Sequence, residues 1–476
     1  MGKTDNCAML QKKEQWGYRF INGKVAFELT YSDGTAIYIR EEKTVIFFNE
    51  NTRVSDELLK EVVSMLPAYS AEEIKPPKEP SAYLMPNIEI ILTDKCQLQC
   101  SYCYSDASAA LSRKTINFER AQKAIDLAFR NAKILTKLSG KPFSANIGFT
   151  GGGEPTYETA LLLRCLEYIN EKSRIMEIHF SCSIQTNGQI APSYVPRFSE
   201  LGCNHMNLSM DGIAPVQDMQ RKRRDGASSF QKCMQFIEAA NRQNITLTVR
   251  STMTKHSFEQ FPEFVSYLDK NYPFIRNLYI DTISSTGRGK AIHSERLNTD
   301  EMCEAIRRAR SLSLTNLIVS HYNMDLSRYS YYCGPADRTS SVYISPNEYI
   351  TVCPEHATPT CEANDPFIVG HYDNDAPIIT DNGWKSRWEQ VKKVGQCRCC
   401  VALYFCAGGC RTKIAISESG KIKDQESLYW CELTQKLAII EIHDCVYDER
   451  LYPSAQRFTF NDLAQSQGNV SVVRLN

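Results

Sequence analysis

Three cysteines near residue 100 have the spacing of ligands that share one metal centre. Cys96, Cys100 and Cys103 lie in TDKCQLQCSYCYSD, separated by three residues and then by two. Three thiolates on one short loop can hold three corners of a [4Fe–4S] cube and leave the fourth iron open for chemistry. Zinc is an alternative metal, but no histidine lies nearby as a fourth ligand. The pattern predicts an iron–sulfur centre with an open position; a group of buried apolar thiols is the structural alternative.

A second field of cysteines lies towards the C-terminus. Four of them form the pattern CxxCxxxxxCxxxC, two precede it and one follows it: Cys333, Cys353, Cys397, Cys400, Cys406, Cys410 and Cys431. A zinc ribbon would account for four of these cysteines and leave the outlying three unassigned. Other cysteines match no motif, and buried apolar packing is expected for them: Cys7, Cys165, Cys182, Cys203, Cys233, Cys303 and Cys445.

Composition narrows the class of protein that carries these cysteines. Of 476 residues, 55 are Lys or Arg and 55 are Asp or Glu, so no net field attracts nucleic acid or an anionic membrane. The N-terminus lacks the apolar core of a signal peptide, and no apolar run approaches the ~18 residues needed to cross a bilayer. A chain with 19 cysteines and no export signal is typical of a reducing compartment. We therefore expect a cytoplasmic protein without nucleic-acid or membrane partners.

The elements that position the first cysteines alternate between strands and helices from about residue 87. The strand-like segments are NIEIILT, NIGFT, HFSCSIQT, HMNLSM, ITLTVRS and NLYIDTI, and the helical ones lie near 117–135, 157–172, 193–200, 229–242 and 257–270. This alternation predicts an α/β fold whose parallel strands curl into a partial (β/α)6 TIM-like barrel. Sites in such a fold lie at the C-terminal ends of the strands, where the cysteine motif falls.

The regions on either side of the barrel differ from it in pattern. KVAFELTY, TAIYIR and TVIFF read as strands and are followed by a helix near 56–66, which predicts a small α+β domain. The region of the second cysteine field has few helical patterns, and the last residues carry no clear signal. We therefore expect these boundaries: an N-terminal domain 1–71, a linker 72–86, the barrel 87–314, a loop-rich domain 315–450 and a tail 451–476.

CxxxCxxC directly after the first strand of a βα repeat resembles the radical S-adenosylmethionine (SAM) superfamily. The resemblance implies that Cys96, Cys100 and Cys103 bind a [4Fe–4S] cluster whose open iron chelates the amino and carboxylate groups of SAM. It also implies that an electron from the cluster cleaves the sulfonium and produces a 5′-deoxyadenosyl radical, which removes hydrogen from a substrate.

Further motifs of that family occur in the expected order: GGGEP after the second strand, QTNG after the third and LSMDG after the fourth. TGRGK follows the sixth strand. The resemblance implies SAM contacts at Tyr102, Gly151, Gly152, Gly153, Glu154, Ser209 and Arg221. The glycines and Glu154 would bind the amino group, Ser209 the ribose, Arg221 the carboxylate and Tyr102 the adenine. A glycine turn with a surface glutamate, a packing tyrosine and a solvated helix start at Arg221 are the structural alternatives.

The second cysteine field resembles the SPASM domain, which carries up to two auxiliary [4Fe–4S] clusters. The resemblance implies that one cluster is held by Cys397, Cys400, Cys406 and Cys431, and the other by Cys333, Cys353 and Cys410. Two positions depart from the family, because Glu348 replaces a usual glycine and Ser327 stands where fully ligated relatives have a further cysteine. The second of these clusters would therefore keep an open iron that can bind a substrate thiolate, or would recruit Cys361 or Cys399.

These resemblances imply a radical SAM/SPASM enzyme that modifies a ribosomally made precursor peptide, as sactipeptide and ranthipeptide maturases do. We expect a sulfur-to-carbon thioether cross-link, with an electron donor such as flavodoxin or ferredoxin. The N-terminal domain resembles a leader-peptide recognition domain, which adds the leader to a sheet edge as an extra strand; a structural cap is the alternative.

Other functions remain open from the sequence. An anaerobic sulfatase-maturating enzyme would form formylglycine, but that subfamily places an aspartate directly after the second SPASM cysteine, and here Pro354 and Glu355 follow Cys353. Carbon–carbon cross-linking and peptide epimerisation are also compatible. A non-catalytic iron–sulfur or zinc protein that binds a partner is the alternative from another class, although a structural metal site needs neither GGEP nor LSMDG.

Overall fold

The computed structural model describes most of the chain. The described residues are 16–21, 24–67, 87–106, 113–321, 324–327, 341–359, 361–380, 400–406, 409–410, 412–415, 423–461 and 470–475. They divide into two compact units. One, here called the central unit, comprises 79–322 and 339–389; the other, the terminal unit, comprises 1–78, 323–338 and 390–476.

The secondary structure is mixed. The strands are β1 (Trp16–Ile21), β2 (Lys24–Tyr31), β3 (Gly34–Ile39), β4 (Thr44–Asn49), β5 (Asn87–Ile90), β6 (Ala145–Phe149), β7 (Phe180–Thr186), β8 (His205–Ser209), β9 (Thr246–Met253), β10 (Asn277–Thr282), β11 (Ile318–His321), β12 (Val342–Ile344), β13 (Tyr349–Thr351), β14 (Ile368–Asp373), β15 (Ala376–Ile379), β16 (Gln456–Phe460) and β17 (Val470–Arg474). The helices are α1 (Asp56–Met65), α2 (Phe118–Ser139), α3 (Thr159–Met176), α4 (Val195–Glu200), α5 (Ala214–Gln220), α6 (Ser229–Arg242), α7 (Lys255–Phe258), α8 (Phe261–Asn271), α9 (Thr299–Arg310), α10 (Leu403–Cys406) and α11 (Gln425–Tyr447).

The central unit is built on one sheet in the order β11-β10-β9-β8-β7-β6-β5-β12-β13-β14-β15. The strands from β11 to β12 in this order are parallel, and β13 to β15 continue the sheet in antiparallel fashion. Helices lie between successive parallel strands, as the alternating sequence pattern predicts. The predicted α/β fold with a central parallel sheet is therefore confirmed, and the strand ends bring the sequence motifs to one edge.

The two faces of the parallel strands differ in polarity. One face is apolar and buried beneath helices; it includes Ile88, Ile90, Ile147, Phe149, Ile184, Met206, Leu208, Val249, Leu278 and Ile280. The opposite face, here called the polar face, is half-buried; it includes Asn87, Glu89, Asn146, Ser183, Gln185, Asn207, Ser209, Arg250, Tyr279 and Asp281. Parallel strands that pack on both faces are nearly uniformly apolar. A polar, partly exposed face therefore indicates a surface that meets solvent or a ligand.

Local signals fix the ends of the helices between these strands. The Asn117 side chain caps α2 by accepting a hydrogen bond of 2.7 Å from the backbone N–H of Arg120. Gly140 ends the same helix with φ 69°, a left-handed conformation that glycine adopts at little cost. Asn298 and Glu301 form a capping box at the start of α9.

The terminal unit contains an antiparallel sheet in the order β1-β2-β3-β4-β17-β16. The side chains of α1 pack on it in a core that also includes residues of β17: Leu58, Leu59, Val62, Ile37, Ile46, Phe48, Val470 and Val472. β16 and β17, in the part of the chain where the sequence carries no clear signal, complete this sheet: β16 pairs with β17, and β17 pairs with β4. β4 lies more than 400 residues before β17, so local sequence patterns do not reveal this pairing. Within the region expected to be loop-rich, α11 is a long helix.

Among the described residues, no helix combines the length and the apolar composition needed to cross a bilayer.

Candidate active site

The loop of the first three cysteines follows β5 and lies along the segment after α5. Leu98 and Arg223 form an antiparallel bridge. Hydrogen bonds flank the bridge, from the N–H of Gln99 to the carbonyl of Lys222 (2.7 Å) and from the N–H of Ser101 to the carbonyl of Gln220 (2.9 Å). The backbone of the loop is therefore fixed along its length, and the positions of its cysteines depend on residues 220–224.

TGRGK, only suggestive in the sequence, holds the other side of the same loop. The Arg288 guanidinium donates through Nε to the carbonyl of Cys100 (2.8 Å), and its backbone N–H donates to the carbonyl of Cys103 (2.9 Å). Gly287 has φ 52°, and a Cβ there would lie 2.6 Å from the carbonyl carbon of Tyr104. Only glycine permits this approach, so the loop after β10 acts as a clamp on the cysteine loop.

The three thiols are compatible with an iron–sulfur cluster. All three cysteines are half-buried, and Cys96 Sγ accepts from the N–H of Leu98 (3.4 Å) and from the Asn187 side-chain amide (3.6 Å). Burial and the neighbouring thiols raise the pKa of Cys96; burial and Cys103 also raise the pKa of Cys100, to about 12, although the Arg221 charge opposes that shift. Thiolates held this close need compensating positive charge, which the irons of a cluster provide.

Geometry also bears on the kind of metal centre. Among the described residues, no three His, Cys, Asp or Glu side chains converge as ligands of one metal ion. A cubane requires a different arrangement, because each thiolate binds its own iron and the sulfurs need not converge on one point. The cysteine loop therefore fits the cluster predicted from its spacing without resembling a mononuclear site.

The glycines of GGGEP allow the loop after β6 to touch the cysteine loop. A Cβ on Gly153 would lie 2.7 Å from the carbonyl carbons of both Asp94 and Lys95. The Tyr104 hydroxyl donates to the carbonyl of Gly151 (3.1 Å), and the Ser105 hydroxyl donates to that of Gly152. Each of these carbonyls keeps a second lone pair that a ligand ammonium could use.

Glu154 is buried, which excludes the alternative that GGGEP is a glycine turn with a surface glutamate. Its Oε1 accepts from the Thr156 N–H (3.1 Å) and from the hydroxyls of Thr156 (2.6 Å) and Thr186 (2.8 Å), and its Oε2 accepts from the N–H of Asn187 (2.8 Å). Burial raises the pKa of this carboxyl, although the hydrogen bonds oppose the shift. No ion pair joins Glu154 to another described residue, so a ligand ammonium would be its first cationic partner.

Asp211 is the residue that sequence reasoning missed, although it lies within LSMDG. It is buried and accepts from the Tyr102 hydroxyl, from the Gln220 amide (3.0 Å) and from the N–H of Thr252 (2.9 Å). Arg221 Nε lies 3.0 Å from Asp211 Oδ2, and the Arg221 guanidinium stands 5.4 Å from the Tyr102 ring centre. Asp211 thus positions two of the predicted SAM contacts.

Arg221 and Ser209 occupy positions that leave groups available to a ligand. Arg221 is 8% exposed, so it is not a solvated helix start; the exposed residues of that charge run are Lys222 and Arg224. Asp211 approaches Arg221 at Nε, and no described residue hydrogen-bonds the terminal nitrogens of Arg221, which are therefore available to a carboxylate. Ser209 ends β8 on the polar face beside Arg250, and no described residue hydrogen-bonds its hydroxyl.

The auxiliary cysteines fall in both units, and two of those predicted, Cys333 and Cys397, lie outside the described residues, as does Cys399. In the central unit, Cys353 is buried and precedes the turn Pro354–His356. In the terminal unit, half-buried cysteines follow one another along the chain: Cys400, Cys406, Cys410 and Cys431.

Local contacts fix the terminal-unit cysteines individually. The carbonyl of Cys400 accepts from Arg40 Nη1 (3.0 Å), and Cys406 is the last residue of α10. Cys431 lies in the second turn of α11, where its Sγ accepts from the Gln435 amide (3.3 Å). Ser327, which replaces a family cysteine, is engaged locally, since its hydroxyl donates to Asp325 (2.5 Å).

Glu355, two residues after Cys353, faces the clamp loop of the central unit. Its carboxylate accepts from the hydroxyls of Ser284 and Thr286, each at 3.3 Å. Burial raises the pKa of Tyr104, and the negative charges of Glu355 and Cys353 add to this rise. A carboxylate that can accept a proton is therefore present beside the cysteine loop.

Comparison with known proteins agrees with this arrangement. Residues 90–268 match the Radical SAM superfamily, and this range contains all the residues assigned above to the first cluster and to SAM. The predicted family is confirmed for this segment, which forms a radical SAM domain, and that superfamily uses a [4Fe–4S] cluster and SAM.

Individual relatives extend the likeness beyond this domain. The cysteine-type anaerobic sulfatase-maturating enzyme of Clostridium perfringens is 22% identical over 197 residues, 40% of this chain and 51% of that protein. The chain spans about half the length of the curated relatives it matches. Native anSMEcpe with bound AdoMet and Cp18Cys peptide has a similar fold (16% identity, TM-score 0.56, 75% of this chain and 98% of that chain). So does Streptococcus suis SuiB bound to S-adenosylmethionine (16%, 0.53, 83% and 99%).

Proposed function

We propose that this protein, whose residues 90–268 form a radical SAM domain, modifies a peptide and forms a sulfur-to-carbon thioether cross-link in it. The observation that carries the proposal is the convergence of the cysteine loop, GGGEP and the Asp211 network at one edge of the parallel sheet. Support for a peptide substrate comes from the similar fold of anSMEcpe, whose structure contains a peptide, over 75% of this chain.

The residues of the chain have separate tasks in this proposal. Cys96, Cys100 and Cys103 hold the cluster, which together with SAM supplies a radical that abstracts hydrogen. Glu154 and the neighbouring glycine carbonyls bind an ammonium, while Arg221 presents its terminal nitrogens to a carboxylate. Positioning is the protein's contribution, because the cofactors carry the reactivity.

The second cysteine field is the reason to propose that the coupling partner is a cysteine sulfur. By the resemblance to the SPASM domain, one auxiliary cluster would lack a fourth cysteine, since Ser327 stands at that position and its hydroxyl donates to Asp325. An iron without a fourth protein ligand would accept a substrate thiolate. Auxiliary clusters would also take up the surplus electron released when the thioether forms. In the cytoplasm, flavodoxin or ferredoxin would supply the electron that cleaves SAM.

Formylglycine formation is the second candidate, and Glu355 favours it. That reaction requires removal of a proton from the substrate cysteine or serine as it is oxidised, and a carboxylate is the type of group that can accept it. Glu355 lies beside Tyr104 and the clamp loop, although it follows Cys353 by two residues rather than one.

The two candidates leave different products on a peptide. The test incubates the anaerobically reconstituted enzyme, SAM and a reductant with synthetic peptides that contain one cysteine, followed by mass spectrometry. A thioether retains sulfur, loses two hydrogen atoms and leaves no thiol for iodoacetamide. Formylglycine loses the sulfur and gives an aldehyde that reacts with hydrazides. Cleavage of SAM without either product on any peptide would contradict both; the Cys96/Cys100/Cys103→Ala variant is the control.

A further inference from the structure

Glu89 is an acidic residue of the polar face, on β5, the strand that precedes the cysteine loop. From its surroundings we infer that Glu89 forms a subsite for a positively charged group of the substrate, namely a lysine or arginine side chain or an amino terminus. This inference rests on the proposed peptide substrate and adds a specificity determinant to it.

A glycine on the adjacent strand makes room for the Glu89 carboxyl. Glu89 pairs with Gly148 of β6 in the parallel register. A Cβ on Gly148 would lie 2.5 Å from both Cδ and Oε1 of Glu89, so the carboxyl occupies the space that any other residue would fill. Glycine inside a strand weakens it and often marks a place of close approach. Here the approaching group is a carboxyl directed across the face.

The Glu89 carboxyl has no hydrogen-bond or ion-pair partner in the described part of the chain, whereas Glu154, the buried glutamate of GGGEP, accepts four hydrogen bonds. Burial, with no charged neighbour contributing, raises the pKa of Glu89 to about 7. A buried carboxyl is costly unless it is paired, and a cation is the partner that offsets most of that cost.

The surroundings allow a ligand to reach this carboxyl. Glu89 is half-buried rather than fully buried. The next residue across the register, Ser183 of β7, is also half-buried and polar. Asn146 donates to Asn87 (2.7 Å), which leaves its own amide oxygen for another donor. An ammonium or guanidinium has several donors and would find several acceptors here, whereas an anion would meet like charge.

The test compares peptides that differ in one charge. A set of cysteine-containing peptides carries either lysine or the uncharged, similarly long norleucine at each position near the cysteine. Binding to the reconstituted holoenzyme is measured by fluorescence anisotropy under anaerobic conditions. At one position we expect lysine to strengthen binding by about 10- to 100-fold, the worth of a charge-assisted hydrogen bond. Glu89→Gln should abolish this preference and leave the affinity for norleucine peptides unchanged.

Two further variants separate this role from damage to the fold. Gly148→Ala should also remove the preference, because the methyl group displaces the carboxyl, while Glu171→Gln, an exposed glutamate of α3, should leave it intact. Equal binding of lysine and norleucine peptides to the wild type, including no binding of either, would overturn the subsite, as would a preference that survives Glu89→Gln. Product analysis of the same samples tests the proposed reaction separately from the subsite. A lysine preference without modification of the peptide would refute the proposed reaction but not the subsite. Modification of the peptide without a lysine preference would refute the subsite but not the proposed reaction.

Discussion

The buried pair Asp211–Arg221 offers a quantitative test of how the site is organised. The Asp211 side chain is 0% exposed and that of Arg221 10%, with Nε 3.0 Å from Oδ2. Asp211→Asn keeps the shape of the side chain but leaves the Arg221 charge buried without its counterion. Removing one partner of a buried pair costs about 3–5 kcal/mol, so we expect the free energy of unfolding to fall by about 3 kcal/mol or more.

A double-mutant cycle distinguishes this pair from general packing effects. Arg221→Met removes the buried charge, so adding it to Asp211→Asn should recover part of the loss, and the coupling between the two changes should be about 2 kcal/mol. Urea unfolding under anaerobic conditions measures each variant by far-UV circular dichroism, with SAM affinity as a second readout. SAM binding should weaken in both single variants, because Tyr102 and Arg221 lose their common anchor.

The chain contains a matched control for this experiment. Arg223 and Asp225 form an ion pair two residues further along, and Asp225 is exposed. Asp225→Asn should therefore leave stability unchanged, because exposed pairs contribute little. If Asp211→Asn had no larger effect than this control, or if the changes at 211 and 221 were additive, the electrostatic account of the site would be refuted.

Three further changes test other parts of the site. Gly153→Ala should abolish SAM cleavage while iron content stays near that of the wild type, because the methyl group would meet the backbone of Lys95 and push the GGGEP loop away; unchanged SAM cleavage would contradict this. Gly287→Ala should lower iron content by about four per chain, since its Cβ would strike the cysteine loop, and iron analysis checks it; full iron content would count against the clamp. Glu89→Gln should stabilise the holoenzyme at pH 8 by up to about 3 kcal/mol and have no effect near pH 4. The reason is that the pKa of Glu89 rises from 4.5 to about 7 on folding, so the wild type loses stability as the pH rises through that interval. Thermal unfolding measured across this pH range tests the prediction, and a pH-independent difference between the two proteins would refute it.

Cysteine spacing and strand pattern were sufficient to predict that the cysteine loop and GGGEP meet at one edge of the sheet. Cys96, Cys100 and Cys103 stand close together in sequence and directly follow a strand, so their neighbourhood is local and visible in the chain. Glu154 follows the next strand, and parallel strands bring such positions to one edge. These relations depend on order along the chain and on the geometry of βα repeats, both of which the sequence records.

Contacts between distant segments could not be predicted in this way. Asp211 acts through Tyr102, Gln220, Arg221 and Thr252, whose meeting depends on the packing of several loops. A glutamate such as Glu89 reveals its lack of a partner only when its neighbours in space are known. The same holds for β17, which pairs with β4 near the beginning of the chain.

The central claim is that the loop of Cys96, Cys100 and Cys103 holds a [4Fe–4S] cluster that cleaves SAM, independently of the second cysteine field. Its most direct test is the iron and sulfide content of anaerobically reconstituted protein, with release of 5′-deoxyadenosine measured in the same samples. We predict about twelve irons in the wild type and about eight in the Cys96/Cys100/Cys103→Ala variant, with no 5′-deoxyadenosine from the latter. A zinc-loaded protein whose metal content is unaffected by the triple change would contradict the account.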